Sequence, residues 1–247
     1  MSQEKKIYGL IGRKINYSFS KKYFTEKFLS SKLNQNIYKN FDLSDINEFK
    51  NIIKDDMING LNVTIPYKEK IIPFLDKLDD EALKIGAVNT IKFDINNELI
   101  GYNTDHIGFL KSIKPFIKRE HKKAILLGSG GASKAIIYAL KKINISCLVV
   151  SRNNNKGDLT YNLIDSKIMK ECQIIINCSP LGTFPKIKEY PDLPYKYINE
   201  KHICYDLIYN PIETEFLKKC KKQKATLING IEMLEKQADE SWKIWNS

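Results

Sequence analysis

The stretch GLNVTIPYKEK, residues 60–70, brings an amide, a hydroxyl and an amine close together in Asn62, Thr64 and Lys68. Side chains alternate along a strand, so Asn62 and Thr64 share one face, and Val63 and Ile65 on the other are expected to enter a core. Pro66 is expected to end the strand and leave Lys68 on the same rim, while Lys70 reads as the start of an exposed helical face. Further on, GAVNT places Asn89 in a short strand and GYNTDHIGF places Asp105 at a helix start. Taken singly, Asp105 reads equally as an N-cap or an acid–base group, Asn89 as a turn residue and Ser20 as a helix cap. Together with Ser18 they make a set suited to a small polyol: hydroxyl and amide hydrogen-bonders, one cation and one carboxylate. Such a site discriminates strongly, because a substrate lacking a hydroxyl leaves buried partners unpaired. A lysine beside a carboxylate can serve carbonyl–alcohol interconversion by moving one proton.

A second constellation lies in GSGGASKA. Gly128, Gly130 and Gly131 fall between the apolar run AILLG and a helical stretch beginning near Ala132, in a chain with only twelve glycines. A strand–glycine loop–helix lets the backbone approach a pyrophosphate and points helix-terminal N–H groups at it. Ala135 stands where the common fingerprint has its last glycine. A tight turn without ligand is the plain alternative; the context favours a dinucleotide. The next strand ends in VVSRNNNK, with Ser151, Arg152 and Lys156 and no carboxylate. An acid there would bind the ribose hydroxyls of NAD, whereas arginine accommodates the 2′-phosphate of NADP. One of the chain's three arginines occupies this place, so NADP is the expected cofactor.

These residues need elements to hold them. Short apolar runs alternate with amphipathic stretches, an α/β pattern. The first half predicts strands at Ile7–Ile11, Ile37–Phe41 and Leu61–Ile65, helices at Ser20–Leu33 and Asp80–Ile85, and a hairpin-like pair at Val88–Phe93 and Leu99–Tyr102. A helix follows from Asp105 to about Ile117. The charged segment KPFIKREHKK is the candidate boundary. The second half predicts strands at AILLG, CLVVS, Ile174–Cys178 and Ile203–Leu207 with a helix at Ser133–Leu140, a βαβ series implying a parallel sheet. In the tail, Ile231, Leu234, Ala238, Trp242 and Trp245 recur at helical spacing, so that helix must dock on something.

Composition excludes several classes. A hydrophobic content of 43% fits a globular protein, and no apolar run is long enough to span a bilayer. The N-terminus lacks the apolar stretch of a signal peptide. Five cysteines with no C-x-x-C spacing read as reduced thiols in the cytoplasm, and the three histidines form no metal-ligand spacing. The net charge of +11 comes from lysines spread along the chain, all but three of the basic residues being lysine; this reads as a solvated surface and not a nucleic-acid face.

GLIGRKINYSFSKKYF, NVTIPYKE, GAVNTI, YNTDHIGF, GSGGASKA, NCSPLGTFP, DLIYNP and NGIEMLEKQA, in this order over nearly the whole chain, resemble the shikimate dehydrogenase family. The resemblance implies NADP-linked interconversion of shikimate and 3-dehydroshikimate in aromatic amino acid biosynthesis. It implies an α/β substrate domain (residues 1–106 and 230–247), a Rossmann-like NADP domain (107–229), and a C-terminal helix that returns to the substrate domain. By position, Lys68 and Asp105 match the catalytic pair, with Lys68 as proton donor to the ketone. Ser18 and Ser20 match the substrate-carboxylate serines, and Tyr209 the tyrosine near that carboxylate. Asn62, Thr64, Asn89 and Gln237 match the hydroxyl-binding residues. Gly128, Gly130, Gly131, Ala132, Ser151 and Arg152 match the cofactor loop and 2′-phosphate region, and Gly230 a glycine near the nicotinamide. The implied partner is a small molecule, with neither nucleic acid nor membrane, and the implied state a monomer or homodimer. Departures are Tyr17 for histidine, Lys21 for proline, Ser151 for asparagine, Asn153 for threonine and Thr183 for methionine. The stretch between Arg152 and Gln173 is short, so one crossover helix is expected to be reduced. The alternatives are a relative acting on quinate or an aminated shikimate, and a non-catalytic NADP- or shikimate-binding regulator.

Overall fold

The computed structural model describes residues 5–16 and 18–247; the Tyr17 departure lies outside them. The chain divides into two units, Met1–Thr104 with Ala238–Ser247, and Asp105–Gln237.

In the first unit, IYGLIG forms the fully buried strand β1 (Ile7–Gly12). Helix α1 (Phe19–Ser30) leads to β2 (Ile37–Asp42), and α2 (Phe49–Ile52) to β3 (Ile58–Val63). Then come β4 (Lys77–Leu78), α3 (Asp80–Ile85) and the antiparallel pair β5 (Thr90–Phe93) and β6 (Leu99–Tyr102). The six strands lie in the order β2-β1-β3-β5-β6-β4, with β1 parallel to both neighbours and β5 antiparallel to β3. Alternation along β1 divides its side chains between two cores. Ile7 and Ile11 join Leu61, Val63 and Ile91, while Tyr8 and Leu10 join Phe24, Phe28, Ala238 and Trp245.

Two local expectations are corrected here. Ser18, not Ser20, caps α1: its Oγ accepts the backbone N–H of Ser20 at 3.2 Å, which moves the helix start to Phe19 and buries Ser20 in the first turn. Ile65 does not enter the core but stands 66% exposed. The strand ends at Val63, and Tyr67 and Ile71 from the following turn fill that end of the core in its place.

The second unit opens with α4 (Asp105–Ile113), continued by a 3-10 turn at Lys114–Phe116. The segment 114–123 is therefore no boundary: Ile117 packs on the same core as Ile113, and His121 is buried. Strand β7 (Lys123–Leu127), α5 (Gly131–Lys142) and β8 (Ser146–Val150) follow. The next crossover is reduced to two 3-10 turns and the six-residue α6 (Ser166–Glu171) before β9 (Ile174–Asn177). Strand β10 (Ile203–Asp206), α7 (Glu215–Lys222) and β11 (Thr226–Ile228) complete an all-parallel sheet in the order β11-β10-β9-β7-β8. Its central strands β7, β9 and β10 are buried on both faces, the reason they read as continuous apolar runs. Ala124, Leu126, Ile174 and Ile176 face one core with α4 and α5; Ile125, Leu127 and Ile175 face another with α6 and α7.

The last helix, α8 (Ile231–Trp245), begins in the second unit and ends in the first. In the first unit the Trp245 indole N–H donates to the Ile91 carbonyl at 3.0 Å, and its ring lies against Gly60, where no side chain would fit. Asp239 accepts from Tyr23 Oη and Lys27 Nζ, each at 2.7 Å, pinning α8 to α1. The buried stripe of α8 is Met233, Gln237, Ser241 and Trp245, every fourth residue, with Ala238 beside it.

Candidate active site

Three of the motifs are joined through their backbones within the first unit. Val63 N–H donates to the Asn89 carbonyl at 2.8 Å, Val88 N–H to the Lys68 carbonyl at 2.7 Å, and Asn89 N–H to the Tyr102 carbonyl at 3.0 Å. The half-buried Lys68 is thus tied to Val88, one residue from Asn89, which directly precedes β5, the strand that pairs with β3 and its Asn62. Side chains complete the joint: Asn103 Nδ2 donates to the Ala87 carbonyl at 2.8 Å, and Thr104 N–H to Asn89 Oδ1 at 2.7 Å. Thr64, half-buried just past β3, continues the pairing by donating its N–H to the Ile11 carbonyl.

Asn62 faces a buried polar interior and not an open rim. It is 5% exposed; its Nδ2 donates to the Asn89 carbonyl and to Ser241 Oγ at 3.2 and 2.9 Å, and its Oδ1 accepts from Tyr38 Oη at 2.7 Å. Tyr38 in turn hydrogen-bonds Ser20, and burial holds its phenol well above the ordinary range, so it stays a proton donor. Ser20, Asn62 and Asn89 are therefore brought into one network, with Ser18 at its edge as the α1 cap. Tyr38, Thr90, Thr104 and Ser241 belong to that network and were not among the residues read from sequence. The available signals were Ser241 lying one helical turn after Gln237, and Thr90 and Thr104 lying inside the GAVNT and YNTD motifs.

Asp105 and Gln237 are the first and last residues of the second unit. Asp105 is 5% exposed at the N-terminus of α4, where the helix dipole favours a carboxylate. One turn on, Gly108 lies so near the Met233 carbonyl and Gln237 that a side chain would collide, which sets the Asp105 turn beside Gln237. Gln237 is buried and donates Nε2–H to the Leu234 carbonyl at 2.9 Å.

The glycine loop sits where the sheet order reverses, β8 lying on one side of β7 and β9 on the other, the place where such sheets bind ligands. Gly128 has φ +117°, left-handed backbone, and a Cβ there would lie 3.2 Å from the Cys178–Ser179 backbone. Gly130 caps α5 with no side-chain acceptor, and a Cβ there would meet open space. Gly131 and Ala132 form the first turn, Ser133 Oγ donates back to the Gly130 carbonyl at 2.5 Å, and Ala135 is fully buried. At the tip of β8, Ser151 Oγ accepts from Asn153 N–H, and Arg152 is exposed near Tyr161. Asp158 also returns to this edge, but its carboxylate accepts the Val149 N–H at 2.8 Å. An uncapped helix terminus, backbone without side chains and an exposed guanidinium fit a phosphorylated dinucleotide.

Gly230 is tied to the far end of the sheet: its N–H donates to the Ile208 carbonyl, and a side chain there would collide with the Leu207 carbonyl. Tyr209 is half-buried in the loop after β10. That loop and the one after β9, which carries Thr183, are organised by buried Asp206. It accepts from Asn177 Nδ2 at 3.0 Å, Ile208 N–H at 3.0 Å and Thr214 Oγ at 2.6 Å, and burial pushes its carboxyl up to about 6. All five cysteines are free thiols, and burial raises Cys147, Cys172, Cys178 and Cys204. Among the described residues no group of His, Cys, Asp or Glu could hold a metal ion, and no helix is long and apolar enough to cross a membrane.

Residues 10–91 match the family described as shikimate dehydrogenase substrate binding domain. The chain is 39% identical over 249 residues to a shikimate dehydrogenase (NADP(+)) of Clostridium botulinum, covering 96% of this chain and 95% of that one. Its fold matches the crystal structure of shikimate dehydrogenase from Aquifex aeolicus with a TM-score of 0.87 at 36% identity, covering 100% and 94% of the two chains. It also matches, with a TM-score of 0.86 at 26% identity over 97% and 93%, the enzyme of Thermus thermophilus in complex with NADP(H) and shikimate.

Proposed function

The chain belongs to the shikimate dehydrogenase family, and we propose that it catalyses the NADP-dependent interconversion of shikimate and 3-dehydroshikimate. What carries this reading is the arrangement that ties the Lys68 peptide to Val88, one residue from Asn89, just before the strand that pairs with that of Asn62. The first unit takes the role of substrate domain and the second that of NADP domain.

When bound, NADP supplies the hydride acceptor for oxidation at C3 of shikimate, and NADPH the donor for the reverse. Lys68 gives its proton to the C3 oxygen on reduction and takes it back on oxidation. Asp105, an acceptor, orients a substrate hydroxyl. Ser18 and Ser20 donate to the substrate carboxylate with Tyr209 near it, while Asn62, Thr64, Asn89 and Gln237 bind the ring hydroxyls. Buried amides held by the protein itself reject a ring that lacks a matching hydroxyl. Gly128, Gly130, Gly131 and Ala132 offer backbone to the pyrophosphate, Ser151 and Arg152 receive the 2′-phosphate, and Gly230 leaves room beside the nicotinamide. The same reading makes the protein a cytoplasmic monomer or homodimer acting on small molecules, its five free thiols fitting a reducing compartment.

The test is NADPH formation, followed by near-ultraviolet absorbance, with shikimate or quinate and NADP or NAD in all pairings. Rapid signal is expected with shikimate and NADP. Folded protein that is silent with every pair, or that prefers quinate with NAD, refutes the reading.

A further inference from the structure

The first unit's buried network is directional at Asn62. A backbone carbonyl only accepts, so the atom of Asn62 bonded to the Asn89 carbonyl is the amide nitrogen, and Oδ1 is the atom facing Tyr38. Tyr38 therefore donates to Asn62. Asn62 Nδ2 also donates to Ser241 Oγ at 2.9 Å. Ser241 Oγ also hydrogen-bonds Thr90 Oγ at 2.8 Å and Thr104 Oγ at 3.2 Å. Both of these bond Asn89: Thr90 donates to Asn89 Oδ1 at 3.0 Å, and Asn89 Nδ2 donates to Thr104 Oγ at 2.9 Å. Ser241 is fully buried on α8, and its hydroxyl joins the Asn62 branch of the network to the Asn89 branch.

We propose that Ser241 is a positioning residue for the shikimate site: its hydroxyl, carried in by α8, joins the Asn62 and Asn89 amides into one oriented hydrogen-bond chain and so decides which of their donors and acceptors meet the polyol. This rests on the shikimate reading above. Removing the Ser241 hydroxyl takes one acceptor from Asn62 Nδ2 and one partner from each of the Thr90 and Thr104 hydroxyls that bond Asn89, and so loosens the hold on both amides.

Ser241→Ala is compared with the parent and with Ser112→Ala. Ser112 is an equally buried serine of the second unit, bonded to the Phe109 carbonyl and Tyr205 Oη. Ser241→Ala is expected to raise KM for shikimate about tenfold while KM for NADP stays within about twofold. Ser112→Ala, whose loss is purely structural, is expected to leave both constants near the parent's even where thermal stability falls. Tyr38→Phe removes the proton donor nearer Ser20 and carries the same expectation, and the same refutation, if Ser241→Ala does not fold. A parent that turns over no shikimate overturns the functional reading and this inference with it. An active parent whose folded variants keep the parent's KM for shikimate, or lose affinity for both ligands equally, overturns the inference alone.

Discussion

In the first unit the groups proposed to meet the polyol are side chains from α1, β3 and the segment leading into β5, locked by hydroxyls from β2, β5 and α8. In the second, the groups at the tips of β7 and β8 are mostly backbone: a left-handed glycine, an uncapped helix terminus and one exposed arginine. The difference matches what each is proposed to recognise. A ring with several hydroxyls and a carboxylate needs donors and acceptors of fixed polarity, which only interlocked side chains provide. A pyrophosphate needs N–H groups and closeness, which backbone supplies once side chains are absent. The first unit should therefore be sensitive to lost hydroxyls and amides, and the second to added bulk.

The comparison breaks first at Lys68. Lys68→Ala is expected to lower kcat about a thousandfold with NADP affinity unchanged, measured by steady-state turnover and dinucleotide titration. Retained activity would remove Lys68 from the chemistry. Added bulk comes next: Gly128→Val is strained at φ +117° and pressed on the Cys178–Ser179 backbone, so KM for NADP should rise 10- to 100-fold, roughly, with KM for shikimate little changed.

A subtler contrast is the second unit's buried side-chain network around Asp206. Its folded pKa, about 6, lies above the ordinary carboxylate value, so the native state binds the proton more readily than the unfolded chain. Stability relative to Asp206→Asn should be greatest below pH 4, fall as pH rises from about 4 to 6, and stay flat above. The full change is about 2–3 kcal/mol, read by denaturant titration of both proteins across that range. A pH-independent difference would mean the carboxyl is not desolvated as described.

How much of this was legible follows the same division. The parallel sheet and glycine loop could be read directly, because strands buried on both faces and a scarce-glycine cluster are local signals. The shortened crossover before β9 was legible from chain length between Arg152 and Gln173. Helix α7 was not, because lysines dominate it and only Phe216, Leu217 and Cys220 face inward. Tyr38 and Ser241 were not legible either: Tyr38 reads as an ordinary strand aromatic and Ser241 as a polar gap in an apolar stripe. Their roles arise from bonds to residues far off in sequence, 179 positions in the case of Asn62 and Ser241. Alternation alone does not mark that β3 ends at Val63, two residues before Ile65, and with two serines before α1 the sequence does not say which one caps it.

The division of labour itself is tested most directly by crossing one variant from each unit, Asn89→Ala and Arg152→Ala, and measuring KM for shikimate and for NADP in each and in the double variant. Asn89→Ala is expected to raise KM for shikimate about tenfold and leave KM for NADP in place, Arg152→Ala to do the reverse, and the double variant to combine the two additively. Either variant moving both constants together would contradict it.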